Sequence, residues 1–145
     1  MKTRILGIVV ALMALWAVHG WAADEKADTA GKCPVSGKAA DKDHAVDFDG
    51  GKVYFCCDNC PKEFAKDSTK YAAKAHLQMV VTGQLTQTAC PFTGKPINAE
   101  QTVDVGGVKV AFCCANCKKK AAALAGDDQI KAVFTDVSKG YKLAK

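Results

Sequence analysis

Four cysteines occur twice in this chain at one fixed spacing. Cys33, Cys56, Cys57 and Cys60 return as Cys90, Cys113, Cys114 and Cys117, every pair 57 residues apart. Their surroundings repeat too. Cys33-Pro34-Val35-Ser36-Gly37-Lys38 matches Cys90-Pro91-Phe92-Thr93-Gly94-Lys95, and Val53-Tyr54-Phe55-Cys56-Cys57-Asp58-Asn59-Cys60 matches Val110-Ala111-Phe112-Cys113-Cys114-Ala115-Asn116-Cys117. Between 33–60 and 90–117, aligned without a gap, half of the positions are identical. Two copies are too few for a stacked solenoid and describe two sister units.

The 145 residues suit one ordinary domain or two very small ones. We assign 33–82 to the first unit and 83–145 to the second. Units of about 50 residues bury too little apolar surface to be secure alone, so the cysteines are the natural staples.

The start of the chain belongs to neither unit. Lys2 and Arg4 precede an uncharged apolar run over 5–18, and Gly20 and Ala22 offer small residues for cleavage after Ala22. This pattern predicts a secretory signal peptide over 1–22, export to the periplasm, and no membrane span once the signal is removed. A polar linker over 23–32 follows.

Removal of the signal takes away Trp16, Trp21, Arg4 and His19, and the net charge falls from +5 to +3. A mature chain without Arg or Trp lacks the bidentate base reader and the best stacking residue, which argues against nucleic acid as a partner. The composition also excludes a disordered tail or a multi-span membrane protein.

The local pattern predicts an α+β fold of hairpins and helices. Ala45-Val46-Asp47-Phe48 and Lys52-Val53-Tyr54-Phe55 flank the turn residues Asp49-Gly50-Gly51, and the second unit repeats this over 102–105 and 108–112 around Gly106-Gly107. Pro61 suits a first helical position, which starts a helix just after Cys60 with Phe64 turned inward. Asp67 or Ser68 caps a second helix through Tyr71 toward Leu77. The segment 77–89 fits a helix end or a linking strand pair equally well. Residues 118–124 read as helix with Gly126 ending it, and Asp127 caps a last segment through Phe134.

Eight cysteines in an exported chain ordinarily mean disulfides. The spacing favours another use. Cys56-Cys57 and Cys113-Cys114 are vicinal pairs, which bridge only with strain. Each unit gathers three thiols within five residues and adds a fourth from 23 residues earlier, as a metal site requires. The candidate ligands are Cys33, Cys56, Cys57 and Cys60 in unit one, and Cys90, Cys113, Cys114 and Cys117 in unit two. Sulfur-only ligation selects soft or borderline ions, Cu(I) or Zn(II) before others. Strand alternation makes Cys57 start by facing away from Cys56. The favoured site is therefore a three-thiolate core of Cys33, Cys56 and Cys60, joined by Cys57 only if the chain turns sharply there.

Cys33-x22-Cys56-x3-Cys60 and its repeat Cys90-x22-Cys113-x3-Cys117 resemble the TRASH and YHS families of heavy-metal-associated domains. The run from Val53 to Cys60, with Phe64 and Asp67 to Tyr71 behind it, is similar to the YHS core. The resemblance implies two tandem treble-clef-like metal-binding units linked to metal trafficking, resistance or sensing. It departs at the first loop. Cys33 and Cys90 stand where the family has Asp, and Ser36 and Thr93 where it has Cys. Ala121 also replaces Phe64 in unit two, which has no equivalent of Tyr71.

Other residues read more simply. His76 and Met79 read as a half-exposed histidine and a core methionine before auxiliary copper ligands, and His44 as surface. Lys118-Lys119-Lys120 reads as a solvated first helical turn. Cys57-x-x-Cys60 resembles a redox motif, but no strand–helix–strand pattern of thioredoxin type surrounds it. With no Ser/His/Asp set, paired carboxylates or phosphate-binding glycine loop, the chain reads as no enzyme. The expectation is an exported protein that binds, buffers or traffics Cu(I) or Zn(II), with a metal transporter or metalloprotein as protein partner. The alternatives are a disulfide-stapled interaction module and a thiol–disulfide exchange protein.

Overall fold

The structure, a computed structural model, describes residues 30–145. The expected signal peptide and most of the linker lie outside the described residues. At the start of the described residues Ala30 is buried, and Lys32, itself exposed, bridges to Ala39. No helix among the described residues is long and apolar enough to cross a membrane.

The fold is α+β, with two Cys-rich units of the same plan. Unit one contains β1 (Asp41–Phe48), β2 (Gly51–Phe55), α1 (Asn59–Lys66) and α2 (Ser68–Val81). A short β3 (Leu85–Gln87) follows. Unit two then repeats the hairpin and helices with β4 (Asn98–Val105), β5 (Val108–Phe112), α3 (Ala115–Ala122) and α4 (Gly126–Phe134), before β6 (Tyr141–Leu143) closes the chain. The strands form three antiparallel pairs, β1–β2, β4–β5 and β3–β6.

Both hairpins turn through two residues with positive φ, Asp49 and Gly50 in one and Gly106 and Gly107 in the other. That geometry matches the twist of the flanking strands. Gly51 therefore belongs to β2, paired with Phe48, and not to the turn. The first strand of each hairpin also begins four residues earlier than the alternation predicts. Pairing slips between Asp41 and Ala45 and between Asn98 and Thr102, so the bulge hides the strand's beginning from a period-2 reading.

α1 starts at Asn59, which places Cys60 inside its first turn and Pro61 one residue later. Proline is tolerated there because the first turn's N–H groups have no helical partner in any case. The cap of α2 is Asp67, whose carboxylate accepts from the Lys70 amide. Two expectations need correction in unit two. Gly126 opens α4 and does not end α3, and Asp127 is not its cap but lies in its first turn, where an anion suits the dipole. Lys119 and Lys120 fall in the last turn of the eight-residue α3, where cations are favourable.

Segment 77–89 is both of its alternatives in succession. α2 runs to Val81, and β3 then pairs with a strand from the far end of the chain, Leu85 opposite Leu143 and Gln87 opposite Tyr141. Gly140 lies so close to Pro91 that an added Cβ would sit 2.8 Å from its Cα, which fixes β6 against the first loop of unit two.

One buried cluster runs through both units. Val53, Phe55, Phe64 and Met79 from unit one join Val105, Val110, Phe112, Val133 and Phe134 from unit two. In unit one Phe64 packs edge-on against Phe48 and Phe55. Ala121 vacates that volume in unit two, and Phe92 stacks on Phe112 while Phe134 stacks on Tyr141. α2 joins the halves: Lys74 pairs with Asp127 of α4 at 2.7 Å, and His76 reaches the carbonyl of Phe134. His76 is 3 % exposed, buried and not half-exposed, and Met79 is core as expected.

Candidate metal centre

The first cysteine of each unit sits in a tight loop. Cys33 N–H donates to the Lys38 carbonyl, and Gly37 N–H turns back to the Cys33 carbonyl with φ of 73°. The loop of Cys90 is built the same way through Lys95 and Gly94. These loops carry their sulfurs to where the hairpin ends and the helix begins. Cys33, Cys56 and Cys60 thereby converge, with all three sulfurs within 4.8 Å of one another, and so do Cys90, Cys113 and Cys117.

The spacing suits a cation. In unit one the Cys56–Cys60 sulfurs are 3.6 Å apart, and in unit two the Cys113–Cys117 pair is 3.7 Å apart. Zinc–thiolate bonds of about 2.3 Å in a tetrahedron put neighbouring sulfurs about 3.8 Å apart. All eight cysteines are free thiols.

Cys57 does not keep away from this core. Its sulfur lies 3.6 Å from that of Cys60 and 3.9 Å from that of Cys56. The reason is that β2 ends at Phe55, so the alternation that would separate residues 56 and 57 has already stopped. Cys57 approaches two of the three sulfurs, but the mutually converging group is Cys33, Cys56 and Cys60 without it, as the favoured three-thiolate core expected. In unit two Cys114 lies 3.6 Å from Cys113 and is exposed.

The loop hydroxyls were missed as site elements by sequence reasoning, although their position was the visible signal. Ser36 and Thr93 each lie three residues after the first cysteine of their unit. The Ser36 hydroxyl lies 3.0 Å from the Cys56 sulfur, and that of Thr93 lies 3.4 Å from Cys113. Each also supports the buried first cysteine of its unit. Burial opposes ionisation of Cys33, but the Ser36 hydroxyl and the amides of Ser36, Cys56 and Val35 outweigh it and hold the thiol down at about 7. Cys90 is held down to about 7 in the same way by Thr93 and the amides of Cys113, Phe92 and Thr93.

The helix-borne thiols differ. Burial and the crowd of neighbouring sulfurs push Cys60 and Cys117 up to about 12. The amides of Asn59 and Cys60 at the start of α1 lower Cys57. Those of Cys117 and Asn116, with the neighbouring sulfurs, lower Cys114, although no contact closes to capping geometry. Each unit thus carries two thiols whose ionisation is favoured beside a helix-borne thiol whose ionisation is opposed.

Two further residues border the sites. Tyr141 is buried with its hydroxyl unpartnered, and burial together with the nearby Cys90 charge opposes its ionisation and moves it to higher pH. His44 pairs with Asp58 at 2.9 Å. His76 stands apart from the sulfurs: Nδ1 meets the Phe134 carbonyl and Nε2 the Asp49 carboxylate, each at 2.8 Å. With one contact in each unit, the ring is a brace between them. No protein family, curated protein or solved structure matches this chain.

Proposed function

We propose that this protein is an exported soft-metal-binding protein that holds one Cu(I) or Zn(II) ion in each unit and buffers or passes it on in the periplasm. The observation that carries the reading is the pair of three-sulfur clusters, built identically from a loop, a hairpin end and a helix start. Three converging sulfurs serve a cation better than a disulfide, which joins two. Their spacing fits thiolate coordination, and the hydrogen bonds to Cys33 and Cys90 favour the ionised form that binds metal. The likeness of the cysteine spacing to TRASH and YHS domains supports the same class, as does the signal-like start of the sequence.

The test is anaerobic titration of the reduced protein with Zn(II) or Cu(I), followed by thiolate-to-metal absorbance. Saturation at two equivalents is expected. One shared equivalent, or none, overturns the reading. Elemental analysis of protein taken from its native compartment then names the ion.

A further inference from the structure

The two sites share their buried ligand and differ on their open side. Cys33 and Cys90 are equally enclosed. In unit one Cys60 is buried, Cys57 is half-buried against it, and Phe64 closes the helix behind them. In unit two Cys117 is half-buried, Cys114 is exposed, and the residue behind is Ala121.

Charge differs in the same place. Positions 58–63 of unit one carry Asp58, Lys62 and Glu63, whereas the matching positions 115–120 of unit two carry no acid and the three lysines Lys118, Lys119 and Lys120. Two of these lysines are anchored beside the site. Lys120 lies over the ring of Phe92, 4.9 Å from its centroid, in the loop that holds Cys90. Lys118 reaches the Glu100 carbonyl at 3.5 Å on β4.

We propose that the units divide the work: unit one retains its metal, and unit two exchanges its metal with anionic acceptors. The inference rests on the two-site reading above. Cys117, half-buried where unit one has the buried Cys60, leaves the ion of unit two open to an incoming ligand, while the lysines raise the local concentration of anions. In the exchange a donor atom of the acceptor bonds the ion as one metal–sulfur bond breaks. The departing thiolate keeps its electron pair or takes a proton from water, and the ion's oxidation state does not change.

The experiment uses the full chain loaded with two equivalents of Zn(II) under anaerobic, reducing conditions. It is challenged with excess ethylenediaminetetraacetate, an anionic chelator, or with a neutral tetrapyridyl chelator. Release should occur in two phases of equal amplitude, at least about tenfold apart in rate. The fast phase should slow severalfold in high salt with the anionic chelator and not with the neutral one. Replacement of all three lysines, Lys118→Gln, Lys119→Gln and Lys120→Gln, should reproduce that slowing at low salt, with circular dichroism confirming the fold. Cys57→Ser should move the slow phase toward the fast one. A protein that loads two equivalents and releases both in one phase, or whose fast phase ignores salt and lysines, overturns the division of work alone. Failure to load two equivalents overturns the two-site reading instead.

Discussion

Gln78 and Gln87 lie nine residues apart, yet they make the same three hydrogen bonds to residues that lie 57 apart. The Gln78 amide donates to the carbonyls of Lys32 and Tyr54 and accepts from Tyr54 N–H. That of Gln87 donates to the carbonyls of Ala89 and Ala111 and accepts from Ala111 N–H. Each glutamine ties a second hairpin strand to the residue just before the first cysteine of its unit. One comes from a helix and the other from a strand, so the repeat is matched in space by residues that do not repeat in sequence.

Replacement of either glutamine by leucine leaves a backbone donor and two acceptors unpaired, each costing about 1–3 kcal/mol when buried. Gln78→Leu, at the buried site, should lower stability by about 3 kcal/mol or more in urea denaturation, and Gln87→Leu, half-buried and within reach of water, by less. Each should also weaken metal binding in its own unit only, because Lys32 and Ala89 position Cys33 and Cys90. Equal loss of affinity at both sites would contradict this local role.

Asp49 adopts φ of 46°, where the second unit has Gly106. The carboxylate contact to His76 explains why a non-glycine residue occupies that position. Asp49→Gly relieves the backbone but should still destabilise by about 1–2 kcal/mol through the lost hydrogen bond. Asp49→Ala should cost about 1 kcal/mol more, because it keeps the unfavourable φ without the contact. Thermal melts of the two variants separate the two effects.

The Tyr141 hydroxyl is buried without a partner. Tyr141→Phe keeps the packing on Phe134 and removes the unpaired group. It should be neutral or stabilising by up to about 1 kcal/mol. A clear loss of stability would reveal a bond that the hydroxyl makes in solution, with Cys90 the nearest candidate.

The metal-free, reduced protein should show thiolate absorbance rising near pH 7 as Cys33 and Cys90 ionise, both lowered from 9.0 to about 7. A thiol lowered by folding stabilises the native state above its unfolded value, and that contribution is lost as pH falls through 7. Cys60 and Cys117, raised to about 12, contribute below their unfolded value and lose it as pH rises through 12. The two effects together place the best stability of the metal-free form at about pH 9. Absorbance at the thiolate band and denaturation across pH measure both.

A chain truncated after residue 82 should not fold cooperatively. It would lose α4, which packs on α2 through Lys74–Asp127 and His76–Phe134, and the whole β3–β6 pair with the buried Leu85. The full chain should melt in one transition, because the buried cluster is continuous. A cooperative transition in the truncated chain, with native helix content, would show that unit one stands alone.

Local chemistry made much of this protein legible. The repeated cysteines predicted two like units. Paired turn residues predicted both hairpins, since positive φ is a property of Asp, Asn and Gly themselves. The Asp67 cap and the inward Phe64 were readable because capping and helical periodicity act within a few residues. The three-sulfur cores were readable because their ligands lie at hairpin and helix ends that the sequence marks.

What the sequence did not contain was any relation between distant residues without a shared motif. That β3 pairs with β6, that His76 braces Asp49 against Phe134, and that Gln78 and Gln87 play one part follow from packing between the units. The approach of Cys57 to its neighbours was decided at the point where β2 ends, because alternation predicts direction only while the strand lasts. The sequence alone determined the two sets of sulfurs and the elements that carry them. Only the tertiary structure decided how those elements share one core and how open each site is, because burial depends on what the rest of the chain places beside each residue.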